Sequence, residues 1–274
     1  MKKLVCTLII ISFSASFVSA QDSGDKKVKL GISVTPAINW LSPNNANKVT
    51  SDGSVIKTGI GLSADFRLTD VIWLHFGLEY TGAGGKLAYK SNDTAFYFYK
   101  NDAIVPVGVA NVGNGGQYNS SGSSNGQSYR LMSRNYKVGY VHIPIGFKLK
   151  TKELGAMTYF GQIGGDVFFK TSANGDDVVR KDILKDETTL AKNKLNDAVG
   201  FFNATAHVGA GAEYRISGST AIMFSLQYRH GMTNFTSDGT NYLLKMSGNL
   251  PSTITQFNNG TKLRQVVLTV GIMF

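Results

Sequence analysis

Alternation with a period of two constrains this chain more than any other feature. Eight separate stretches carry apolar residues at nearly every second position, and the positions between them are mostly Gly, Ser, Thr, Asn or charged. A strand sends successive side chains to opposite faces, so each stretch reads as a strand with one apolar and one mixed face. The final stretch is the plainest. Val266, Leu268, Val270, Ile272 and Phe274 form one apolar face, against Gln265, Thr269 and Gly271 on the other.

The remaining expected strands are 28–40, 56–68, 71–82, 136–150, 156–170, 200–216 and 219–234. Their connections alternate long and short. Thr69-Asp70, 151–155 and Ser217-Gly218 are the short turns, and they all fall at one end of an up-and-down arrangement. Four long loops fall at the other. That asymmetry predicts an all-β fold: an eight-stranded antiparallel transmembrane β-barrel with short periplasmic turns and long extracellular loops.

The aromatic residues agree with this layout. Trp40, Tyr80, Phe169, Phe202 and Tyr228 fall at the outer ends of the apolar faces, and Phe66, Tyr159, Tyr214 and Phe274 at the inner ends. Two such girdles mark the two interfaces of a bilayer. A water-soluble barrel would instead turn its apolar faces inward. Phe274 ends the chain as an aromatic terminal strand, which is expected to serve as the signal for the barrel assembly machinery.

Residues 1–20 have the parts of a cleaved secretory signal: Lys2 and Lys3, an apolar core over 4–11, and Val18-Ser19-Ala20 before the expected cut. The mature domain is then 21–274. Cys6 is the only cysteine and lies inside that signal, so no disulfide or cysteine metal site is expected in the mature chain. The net charge of +10 falls to +8 without Lys2 and Lys3. An exported chain meets no nucleic acid, so the basic surplus points to outer-membrane lipid and lipopolysaccharide headgroups.

Alternation also sends Lys57, Asp65, Arg67, Glu79, Asp166, Glu213, Arg215 and Arg229 inward. Eight strands leave an interior that side chains roughly fill. Buried charges are tolerated there only in pairs, so a closed polar network is expected rather than a catalytic carboxylate pair. His75, His142 and His207 point inward from different strands, without the convergence a metal ion needs. No Ser-His-acid set singles itself out. Gly59-Ile60-Gly61 and Gly209-Ala210-Gly211 precede no helix, so they read as space for crowded inward neighbours rather than phosphate loops.

The long connections carry their own expectations. Within 83–135, the stretches 95–99 and 103–109 read as a hairpin turning at Asn101-Asp102, and 111–127 as a mobile Gly, Ser and Asn-rich segment. Residues 182–198 hold enough Leu, Lys and Glu for a helix, and 235–262 reads as a polar loop.

Gly139, Tyr140, Val141, His142, Ile143, Pro144, Ile145, Gly146, Phe147 and Lys148 form the fourth expected strand, and Val208 to Tyr214 lie in the sixth. In these segments the chain resembles the PorT-like outer-membrane β-barrel family of Bacteroidetes. Ile143, Pro144 and Lys148 fit its pattern, and His142 stands where an acidic residue is usual. The resemblance implies an eight-stranded outer-membrane barrel, and a link to type nine secretion through the founding member. The expectation is a non-enzymatic barrel without cofactors. It would present loops for surface interaction, envelope integrity or support of a secretion complex. A lipid-modifying enzyme and a narrow solute channel are the alternatives.

Overall fold

The computed structural model describes residues 27–44, 46, 49–89, 96–100, 103–106, 128–181, 187–196, 198–237, 242–247, 250–256 and 260–274. The expected signal 1–20 and the expected mobile segment 111–127 lie outside the described residues. The strands are β1 (Val28–Pro43), β2 (Val49–Ser51), β3 (Val55–Arg67), β4 (Ile72–Tyr89), β5 (Phe96–Lys100), β6 (Ala103–Pro106), β7 (Ser128–Lys150), β8 (Met157–Lys181), β9 (Glu187–Lys194), β10 (Phe202–Ser217), β11 (Thr220–Gly231), β12 (Tyr242–Ser247), β13 (Leu250–Gln256) and β14 (Thr261–Met273).

Eight of these, β1, β3, β4, β7, β8, β10, β11 and β14, pair antiparallel in chain order, and β1 against β14 closes the ring. Closure leaves no open sheet edge at the seam. The seam runs from Gly31 opposite Met273 to Pro43 opposite Thr261. Phe274 extends it by one residue. Its N–H donates to the Leu30 carbonyl at 2.7 Å, and its own carbonyl accepts from Leu30 N–H at 3.3 Å.

The outward faces are apolar, as the alternation predicts. Ile60, Leu62, Ile163, Val208, Leu226 and Leu268 stand exposed on the outside, while Asp65, His142, Asp166 and Gln265 are buried within. Both aromatic rows also sit on the outside: Tyr80, Phe202 and Tyr228 at one level, Phe66, Tyr159, Tyr214 and Phe274 at the other.

Pro144 cannot donate to a ladder, and the β4–β7 pairing shows how the sheet accommodates it. The register is the same on both sides, with Phe76 opposite Ile145 and Glu79 opposite His142, but pairing lapses between them. An unpaired amide position, not a bulge, absorbs the proline. Gly77 faces the ring; a Cβ there would come within 2.8 Å of the Pro144 side chain.

Four barrel strands run further than the alternation of lipid-facing residues suggests. β4 reaches Tyr89, β7 begins at Ser128, β8 continues to Lys181 and β1 to Pro43. Together they raise a sheet above the outer aromatic row. A bulge on β8 between Lys170 and Ser172 resets its faces. Below it Gln162, Asp166 and Phe168 point inward; above it Ala173, Asp177 and Val179 do. One extra residue changes which parity faces the core.

Two loop expectations are corrected. The expected helix over 182–198 is replaced by strand β9, which pairs with the extended edge of β8. The isolated helix had only a thin apolar stripe, whereas the edge of β8 supplies ready backbone partners. The expected polar loop 235–262 contains the hairpin of β12 and β13. The expected hairpin around Asn101-Asp102 corresponds to β5 paired with β6.

Candidate functional site

Because interior residues come from every second position of eight strands, distant parts of the sequence meet inside the barrel. They form two charged clusters. Nearer the short turns, Asp65 of β3 accepts from Lys148 Nζ at 3.0 Å and from Lys150 Nζ at 3.2 Å. It also meets His75 Nδ1 at 2.6 Å. Lys150 bridges on to Glu213 of β10, which takes Lys29 Nζ at 3.0 Å as well.

Nearer the long loops, His142 lies between two carboxylates. Its Nδ1 is 2.8 Å from Glu79 and its Nε2 is 3.0 Å from Asp166. Thr205 donates to Asp166 at 2.7 Å, and His207 Nδ1 stands 3.0 Å from the same carboxylate. Arg229 Nε approaches it at 3.8 Å. Phe168 stacks flat on the His142 ring, with centroids 4.3 Å apart. Gln162 hydrogen-bonds the His207 ring at 3.2 Å, and Gln227 donates to Gln162.

The charges balance. Asp65, Glu79, Asp166 and Glu213 are matched by Lys29, Lys148, Lys150 and Arg229, all but Lys29 buried. Burial of unpaired charge would cost several kcal/mol per ion, so matched numbers are what a closed interior requires. Of the residues expected inside, Asp65, Glu79, Asp166, Glu213 and Arg229 are in this network. Lys57 is half-buried. Arg67 and Arg215 lie at the mouth rather than in the membrane-level interior. Arg67 pairs with Asp70 at 2.8 Å, and the exposed Arg215 with Glu153 at 2.9 Å. Both sit at the short-turn ends of their strands, where water replaces neighbouring side chains.

That mouth is a cavity of about 430 Å³ lined by Lys29, Arg67, Trp73, Lys150, Glu213 and Arg215, among others. Trp73 forms its inner wall, with Lys150 Nζ 4.5 Å from the ring centroid. The opposite end is closed by apolar packing. Leu41, Leu87, Tyr136, Tyr140, Phe168 and Phe235 form one buried cluster. Phe235 enters from the connection after β11 and packs edge-on against Tyr136 at 5.7 Å.

The network residues that alternation could have supplied but did not are Lys150 and Gln162. Lys150 continues the inward row of Lys148 by one step, so its signal was present. The apolar closure had no such signal. It uses strand extensions and a loop residue that lie outside the lipid-facing pattern.

Among the described residues no group of three or more His, Cys, Asp or Glu is placed to hold a metal ion. Asp166 gathers two histidines, but Arg229 and Thr205 occupy the same carboxylate. The arrangement binds its own charges together.

A closed barrel with an apolar outside and a charge-matched inside is a transmembrane β-barrel. The family model for the outer membrane protein beta-barrel domain matches residues 19–237. The chain belongs to that family, which places it in the outer membrane. Among solved structures it is similar to the outer membrane protein OprG from Pseudomonas aeruginosa, at 10% identity over 92% of this chain and 97% of that one, TM-score 0.43. A major outer membrane protein from Thermus thermophilus gives 11% identity over 91% and 100%, TM-score 0.39. Neisserial surface protein A gives 12% over 90% and 96%, TM-score 0.36. No curated protein matches.

Proposed function

We propose that this chain is a non-enzymatic, non-conducting barrel. It anchors an extracellular sheet and its loops for contact with other molecules at the cell surface, or for support of a secretion complex. The observation that carries the reading is the division of the interior. A balanced ionic network fills the membrane-level lumen, and an apolar cluster around Phe235 closes it above. Such a lumen offers ions neither a wet path nor a site to pause.

The same observation weakens the enzyme alternative. His142 and His207 are buried inside the wall, so a lipid in the bilayer has no route to them. The channel reading predicts steady conductance in planar bilayers. The purified barrel is expected to stay silent across 100 mV steps (an arbitrary, roughly physiological drive). Stable unitary currents would overturn the non-conducting reading. Affinity purification from native envelopes separates the remaining roles, since a secretion component and a surface ligand give different co-purifying partners.

The extended sheet is built to hold a shape. Arg134 and Asp177 form a buried two-point pair above the outer aromatic row, with Nε to Oδ1 at 2.6 Å and Nη2 to Oδ2 at 2.9 Å. Burial disfavours a charged guanidinium, but the adjacent Asp177 outweighs it and holds the Arg134 pKa well above its ordinary value. Asp177→Asn is expected to loosen β8 and β9 there, giving faster protease cleavage above the barrel while the barrel itself remains heat-modifiable. Unchanged cleavage would remove this pair from the account.

Asp176 faces the other side. The Lys137 ammonium donating to its carboxylate holds its pKa below the ordinary 3.8, and the Lys192 N–H donating at 3.1 Å adds to this. A lowered carboxylate stabilises the folded extension above pH 3.8, and that contribution is lost as pH falls through the lowered value. An NMR titration of Asp176 should show its midpoint rise in Lys137→Gln. An unmoved midpoint would break the assignment.

A further inference from the structure

We propose that the outer rim of β11, β14 and β1 holds a phosphate group of a lipid A-type molecule in the outer leaflet. Cross-strand register sets up the site. Trp40 of β1, Arg264 of β14 and His230 of β11 lie directly opposite one another in a single row. Their neighbours Leu41, Leu263, Asn39 and Gln265 are buried inside, so the three side chains of the row face outward. Lys262 is two residues further along the same face of β14.

The row lies at the level of the outer aromatic girdle. Trp40 and Tyr228 are within 6.3 Å of each other by ring centroids, on either side of β14. The Tyr228 hydroxyl lies 3.3 Å from His230 Nδ1. Aromatic side chains of this kind sit among headgroups, so Arg264 and Lys262 stand where the charged part of an outer-leaflet lipid begins.

These cations also lack a carboxylate. Among the described residues, neither Arg264 nor Lys262 forms a salt bridge; Lys262 donates to the Met232 carbonyl, and the buried Nε of Arg264 has no hydrogen-bond partner. By contrast Lys137, another outward lysine above the outer aromatic row, is matched by Asp176. In the buried network Lys148 and Lys150 have their carboxylates, so an unmatched Arg-Lys pair on the outside invites one from elsewhere. A guanidinium beside an ammonium suits the tetrahedral oxygens of a phosphate monoester, with His230 within the same row. A soluble anion would not explain why the site is set against the lipid face.

The test compares bis-phosphorylated lipid A with its fully dephosphorylated form, each offered to the detergent-solubilised full-length protein and counted by native mass spectrometry. The expected result is one retained bis-phosphorylated lipid A, with retention of the dephosphorylated form lower by about tenfold or more. Arg264→Gln with Lys262→Gln should abolish that preference, while Lys137→Gln should leave it intact. Equal retention of the two lipids by the wild type would overturn the proposal, whether or not the double variant assembles. So would displacement by inorganic phosphate at equal concentration, which would mark a simple anion site.

Discussion

Leu226→Arg is expected to destabilise the folded barrel by about 2–4 kcal/mol, measured by denaturant unfolding in lipid vesicles. Leu226 is 58% exposed on the outer face of β11, opposite Leu268 and Ala210 and between the two aromatic rows. At that depth a guanidinium has no water and no partner, and the closed sheet gives it little room to reach either interface. The matched control is Met232→Arg. Met232 is also exposed, but it lies beyond Tyr228, where headgroups accept a cation, and the expected cost is about 0–1 kcal/mol. The difference between the two is the prediction. Equal costs would mean that the outside of this barrel does not see a bilayer depth profile.

The same contrast explains how far the sequence could be read. Where a strand crosses lipid, every second residue must be apolar, so Ile222, Phe224, Leu226 and Tyr228 reveal both the strand and its orientation. Above the girdle both faces meet protein or water, and the constraint disappears. Arg134 and Asp177 look like loop residues because they are charged, yet they pack against each other inside an extended sheet. The bulge beyond Lys170 then reverses the parity of β8, so alternation continued from below would have assigned the wrong face. β9 was hidden for a different reason. Its Leu, Lys and Glu content suits a helix, and its strand conformation comes from an edge provided by β8, which local sequence does not record.

Within the lumen, the inward positions were legible but their partners were not. Alternation places Asp65, Glu79, Asp166, Glu213 and Arg229 on inner faces without fixing the height of one strand against another. That height depends on register. Arg67 and Arg215 have the correct parity, yet register puts them at the mouth, where exposed carboxylates pair with them. The lumen is specified by parity and stagger together, and only parity is written in one strand at a time.

Stagger matters most at Asp65, and its removal gives the second large effect. Asp65→Asn keeps the shape of the side chain but leaves Lys148 without the carboxylate it bonds, with Met223 Sδ at 3.6 Å and the Phe160 ring at 5.2 Å beside it. Lys150 keeps Glu213, so Lys148 bears most of the loss. Breaking a buried pair on one side is expected to cost about 3–5 kcal/mol, because a charge remains where water cannot reach it. If an orphaned charge is the cause, removing it should restore stability. Asp65→Asn combined with Lys148→Met should recover most of the deficit, since methionine fills the lysine's volume and suits the neighbouring Met223 and Phe160. A double variant as unstable as the single one would show instead that Asp65 acts by holding His75 and Lys150 in place. In that case the network's contribution is geometric rather than a matter of charge.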